Sequence, residues 1–200
     1  MKSDSEKKKI RARALRNRRA LLNEKKKFGW YNDGGGKRYR IGVDLVAAGD
    51  FEEALKYFRW FETEFSDDVG EPVFLLNWAL AEYRSGHAAE AARRLKIAMT
   101  SNIYLLPGLL GFRQEERDIW HSSNWEGPEY VDVVADVLPN IDDDERNWIQ
   151  DQYESEPFRL VLSEYIAVYE ALLHEKDRSR RGALLDRWYK FERRSLARGA

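Results

Sequence analysis

Three histidines, an acidic run and a Gly-rich segment followed by Lys mark the places in this 200-residue chain where side-chain types could support catalysis or ligand binding. His87, His121 and His174 stand far apart and in unlike contexts, so spacing forms no HxxxH pair and no ligand cluster. The chain has no Cys, which excludes disulfides, thiol catalysis and thiolate metal sites. Asp142-Asp143-Asp144-Glu145 could attract a divalent cation, but the central Gly of a calcium loop is missing. An acid-rich helix start, complementing the helix dipole, accounts for the same residues. Gly34-Gly35-Gly36-Lys37 has neither the spacing of a phosphate loop nor a Ser or Thr after the Lys, and no apolar strand precedes it. No Ser occurs in a Gly-x-Ser-x-Gly context. Glu115, Glu116 and Asp118, flanking Trp120 and Trp125, leave a carboxylate pair of the glycosidase kind open on spacing alone. On balance the sequence predicts no enzymatic activity, no metal and no cofactor.

Binding chemistry is better represented. Lys7, Lys8, Lys9, Arg11, Arg13, Arg16, Arg18 and Arg19 crowd the N-terminal segment, and clustered cations of this kind contact phosphate backbones. The competing expectation is a solvated basic tail, or one folded on the protein's own acidic segment. Residues 1–27 carry twelve Lys or Arg against three acids, residues 113–157 three Arg against fourteen acids, and residues 174–198 nine Lys or Arg against four acids. Two basic ends thus flank an acidic middle, although the net charge is only −1.

The elements that must position these residues follow from one pattern that appears twice. Gly49-Asp50-Phe51-Glu52-Glu53-Ala54 and Gly86-His87-Ala88-Ala89-Glu90-Ala91 each place a chain break before an acid and a small Ala. A large apolar residue follows each Ala four positions on, Phe58 and Leu95. Twelve residues before each Ala is a further small residue, Gly42 and Ala79. Small residues at facing positions let antiparallel helices approach closely, and the Gly supplies the turn. Helices are expected at about 37–48, 51–65, 72–85 and 88–101.

These two units resemble tetratricopeptide repeats, through Gly42, Gly49, Ala54 and Phe58 in the first and Trp78, Ala79, Gly86, Ala91, Leu95 and Ala98 in the second. The Gly49-to-Gly86 spacing of 37 departs from the roughly 34-residue repeat, with the excess placed in Ser66–Pro72. Asn102–Gly111 and the acidic stretch after it look like segments that follow the repeats in uncharacterised bacterial tetratricopeptide-like proteins. The resemblance implies an all-α fold of TPR-like helical hairpins, an α-solenoid fragment capped by C-terminal helices. It also implies a non-enzymatic protein-binding scaffold. In such folds the first helix of each unit lines a concave groove, which places Tyr39, Val43, Val46, Val73, Leu76, Asn77, Leu80 and Arg84 against a protein or peptide partner. Asn77 and Arg84 would be its polar contacts; the alternative is that Asn77 caps or bridges helices and Arg84 is solvated. The family's cationic pattern for capturing a C-terminal carboxylate is absent, because Tyr39 and Arg40 lack the matching Asn.

The expected organisation is a basic arm over 1–27, a Gly-rich hinge over 28–36, a repeat domain with its acidic cap over 37–156 and a helical pair over 157–200. Two repeats cannot cover their own outer faces, so the later segments must cap them. Pro107-Gly108 is expected to force a turn, Gly127-Pro128 to open a helix, and Asp142 with Glu145 to form a capping box. The final helices carry the stripes Phe158, Val161, Leu162, Tyr165, Tyr169, Leu172 and Leu184, Leu185, Trp188, Phe191, Leu196, which pair with each other or form a homodimer. No apolar run spans a bilayer and no signal-peptide pattern opens the chain, so a cytoplasmic location and no membrane partner are expected. The two function classes carried forward are a groove-binding interaction module and a nucleic-acid-associated adaptor acting through the arm.

Overall fold

In the computed structural model, which describes residues 2–112 and 115–196, every regular element among the described residues is a helix. The basic N-terminal segment forms α1, Asp4–Phe28. Ser3 and Glu6 close a reciprocal capping box at its start, and Gly29 ends it in the left-handed conformation, φ 80°. Ala14 and Leu21, seven residues apart, are fully buried, with Ile10, Asn17, Arg18 and Glu24 half-buried on the same face. This apolar stripe is thin, and α1 packs along α2, Lys37–Ala47, with ion pairs adding to it.

The first hairpin joins α2 to α3, Phe51–Glu64, through Gly49 at φ 78°; α4, Pro72–Arg84, packs on both. The fifth helix, α5, spans Ala88–Ser101 after a turn at Gly86, φ 79°. These bounds fall within a residue or so of those expected from the repeat pattern. Gly42 sits where two helices approach closely. A Cβ built on Gly42 would lie 2.5 Å from Phe58 Cε1 and 3.0 Å from Phe74 Cε2, so only Gly lets α2 approach these rings. Phe58 stacks on Trp78 with ring centroids 5.1 Å apart and planes 8° off parallel, while Phe74 meets Phe58 edge-on at 5.0 Å. Every residue from Pro72 to Glu82 is buried, which makes α4 an interior helix rather than an amphipathic surface one.

The segment before α2 is better fastened than a hinge. Asp33 is buried, and its carboxylate accepts from the Lys37 and Arg38 backbone N–H groups at 2.7 and 2.9 Å, capping the helix from outside. Arg38 and Tyr39 both bond Asp68, which also accepts from Gly70 N–H, so the connector between α3 and α4 is tied to the start of α2.

The chain parts into two compact units within α5, between Ala91 and Ala92. The basic arm and the Gly-rich segment fall in the first unit, and the C-terminal pair falls in the second. In the second unit, α6 (Leu105–Leu110) contains Pro107 and Gly108. They do not force the expected turn, because Pro is tolerated in the first turn of a helix, where its missing N–H has no partner to lose. Gly108 lies against Val131 of α7, Glu129–Val133, which a 3-10 turn over Ala135–Val137 extends. Helix α8, Asp143–Glu154, opens on the Asp142–Glu145 capping box in both directions. Then α9, Glu156–His174, buries Phe158, Val161, Tyr165, Val168, Tyr169 and Leu172 and pairs with α10, Arg178–Ser195. Trp188 of α10 stands edge-on to Tyr165 and Tyr169, so the two helices meet within one chain.

Candidate functional site

The eight residues expected to line a groove are not on an open surface. Tyr39, Val46, Val73, Leu76, Asn77 and Leu80 are all buried, and Val43 is half-buried. Asn77 donates its side-chain N–H to the Val73 carbonyl one turn back at 2.8 Å, a contact that satisfies it inside the helix. Arg84 is half-buried with its guanidinium 5.2 Å from the Phe51 ring centroid. Burial across the whole of α4 is what sequence spacing missed. The apolar residues Val73, Phe74, Leu75, Leu76, Trp78 and Leu80 give it apolar character all round, and that composition was the available signal.

The arm residues separate into two sets once α1 is docked. Arg13 forms a bidentate pair with the buried Asp44, Nε to Oδ2 at 2.8 Å and Nη2 to Oδ1 at 2.6 Å. Arg11 pairs with Asp50, Arg18 with Glu53 and Lys25 with Glu64. Lys37 of α2 returns a bond to Glu24 of α1 at 2.9 Å. The acids that receive the arm thus lie on the first hairpin, not in the acidic middle of the chain. Lys7 is half-buried along this docked side.

Lys8, Lys9, Arg16 and Arg19 point the other way and are exposed, together with Lys26 and Lys27 further along. At 3.6 residues per turn these six fall within an arc of about 100° on the face opposite Ala14 and Leu21. They form three pairs, 8/9, 16/19 and 26/27, whose centres follow one another at intervals of about 13 Å. Only Ala12, Asn23 and other uncharged residues share the arc, since Asp4, Glu6 and Glu24 all lie outside it. Folding therefore divides a mixed basic segment into an inward set paired with the hairpin and an outward row of exposed cations.

The row ends on aromatic rings. Lys27 Nζ lies 4.9 Å from the Phe28 centroid, and Phe28 lies 6.1 Å from Trp30. Phe28 is 45% and Trp30 66% exposed. Tyr31, next in sequence, turns inward against Trp60 and Phe65, with Lys25 over its ring at 5.0 Å. Its hydroxyl titrates above the ordinary tyrosine range because burial disfavours the phenolate.

The residues weighed for catalysis do not converge. Glu115, Glu116 and Asp118 are exposed on an irregular segment, with Trp120 stacked on Tyr169 at 5.9 Å. His87 bonds Glu82 at 2.7 Å, His121 lies 4.0 Å from Glu126, and His174 is exposed at the end of α9. Among the described residues, no group of three or more His, Asp or Glu is arranged to hold a metal ion, and no helix is long and apolar enough to cross a membrane. No family model, curated protein or solved structure matches the chain.

Proposed function

We propose that this protein is a non-enzymatic interaction module of tetratricopeptide-like build that receives a polyanionic partner on the outer face of α1. The observation that carries this reading is the sorting of the arm: Arg11, Arg13, Arg18 and Lys25 are paired with the hairpin, while Lys8, Lys9, Arg16, Arg19, Lys26 and Lys27 stand in a solvent-facing row without an acid among them. A row of this kind creates a positive potential that attracts and orients a chain of negative charges. Docking on the hairpin holds the helix in place before binding, so little ordering entropy opposes association. The tetratricopeptide-like hairpins serve in this reading as the support on which the helix is mounted. A cytoplasmic setting is compatible with the chain and forms part of the proposal.

The reading in which a partner segment enters between α2 and α4 rests on the repeat pattern itself. It needs those helices to part, because α2 packs on α4 and Tyr39, Val46, Leu76 and Leu80 are buried. The two readings separate in one experiment. On immobilised heparin, the triple variant Lys9→Gln/Arg16→Gln/Arg19→Gln should elute at clearly lower salt than wild type, with an unchanged circular dichroism spectrum. Equal elution would refute the α1 surface.

A further inference from the structure

We infer that the outer face of α1 binds single-stranded nucleic acid, with the phosphates along Lys8 to Lys27 and an unstacked base on the Phe28–Trp30 rings; this rests on the polyanion reading and specifies its ligand. Two features select this ligand from other polyanions. The first is continuity, since Lys27 reaches the Phe28 ring and Phe28 reaches Trp30, so charge and π-surface form one track. The second is that the backbone on both sides of Trp30 is anchored while its ring remains exposed. On one side Gly29 terminates α1 in the left-handed conformation, its N–H bonded to Lys25 carbonyl at 2.8 Å. On the other, Tyr31 is anchored on Trp60 and Phe65, and Asp33 caps α2 two residues later.

A large aromatic ring exposed at the end of a cationic row is the arrangement that sequence-tolerant single-strand binding uses, because every base has a π-face to offer. A duplex keeps its bases stacked and leaves the rings without a partner. An acidic peptide would use the cations and leave Trp30 idle. An anionic bilayer would call for apolar side chains distributed along the row, whereas the arc itself holds only Ala12 and Asn23 between the cation pairs, and Leu22, exposed nearby, lies outside it.

The test uses the full chain and a fluorescein-labelled oligo(dT) of about 15 nucleotides, a length in the range of single-strand sites, read by anisotropy at low salt. Heparin serves as a polyanion without bases. Trp30→Ala should weaken oligo(dT) binding by about fivefold or more, the loss of one stacked base, and leave heparin affinity unchanged. Phe28→Ala should act in the same direction. Unchanged oligo(dT) affinity in both variants would overturn the inference while leaving the polyanion reading standing. So would tighter binding of the matching duplex, of polyglutamate, or of anionic phospholipid vesicles. Failure of wild type to bind either oligo(dT) or heparin would overturn both.

Discussion

Replacing Gly42 by Ala adds one methyl group where α2 crosses the aromatic core. The new carbon would sit 2.5 Å from Phe58 Cε1, 3.0 Å from Phe58 Cζ and 3.0 Å from Phe74 Cε2. Optimal carbon–carbon separations are about 3.5–4.0 Å, so Phe58 would have to move by roughly 1 Å. It has nowhere easy to go: both rings are fully buried, and Phe58 is stacked on Trp78 at 5.1 Å. Overpacking of this kind costs up to about 3 kcal/mol. Ala is favoured over Gly in a helix interior by about 1 kcal/mol, which offsets part of it. The expected outcome is a net loss of about 2 kcal/mol, or roughly 4–8 °C in melting temperature for a chain of this length. Urea unfolding followed by circular dichroism and tryptophan fluorescence would measure it. Gly182→Ala is the matched control, since nothing lies within 4 Å of its Cβ in α10, and it should stabilise by up to about 1 kcal/mol. Equal or greater stability for Gly42→Ala would refute the close-approach argument.

Three further outcomes are expected. Arg13→Met should cost about 1–3 kcal/mol by leaving Asp44 buried without its guanidinium, less than a fully buried pair because Arg13 is partly exposed. The double variant Arg13→Met/Asp44→Asn should recover most of that loss, and full additivity in the denaturation cycle would contradict the pairing. Burial, with a smaller contribution from Asp68, pushes the Tyr39 hydroxyl up to about 12, and burial raises Tyr57, Tyr165 and Tyr169 in the same direction. These groups favour the fold while neutral, so their stabilisation is complete below the ordinary tyrosine pKa of about 10 and is lost as pH rises through the folded values. Absorbance titration should then show a late tyrosine step coincident with unfolding; a single step near the ordinary value with the fold intact would contradict the burial. Burial also raises Glu192, so its contribution is present at acid pH and lost as pH rises through the raised value. Glu192→Gln should stabilise relative to wild type at neutral pH, and the difference should shrink on acidification in paired melts.

The first helical hairpin was legible because turn Gly, small residues and helical spacing all point the same way at Gly42, Gly49 and Ala54. The Asp142–Glu145 capping box was equally legible, being a local three-residue signal whose bonds depend on nothing distant. What escaped the sequence was long-range. Nothing local tells Arg13 that Asp44 lies 31 positions away, or Lys25 that Glu64 awaits it, so an amphipathic helix sealed by ion pairs read as a loose arm. Nor does spacing show that Leu76, Asn77 and Leu80 are buried. Period identifies which residues share a face, but only the packed neighbours decide whether that face is open. The division of the arm into paired and outward cations became visible only after docking. Helical phase alone would have grouped Lys8, Arg19 and Lys26 opposite Leu21, though not shown which side was covered.

The polyanion surface on α1 is tested most directly by the salt dependence of oligo(dT) binding, measured for wild type and for Lys9→Gln/Arg16→Gln/Arg19→Gln. Six outward cations, each neutralising one phosphate of a single strand, give a slope of about −4 in log K against log salt. Removal of three should reduce it to about −2. That change, with the fold intact, is the predicted result. A slope that stays the same in the variant would place any binding elsewhere on the molecule and contradict the assignment of this face.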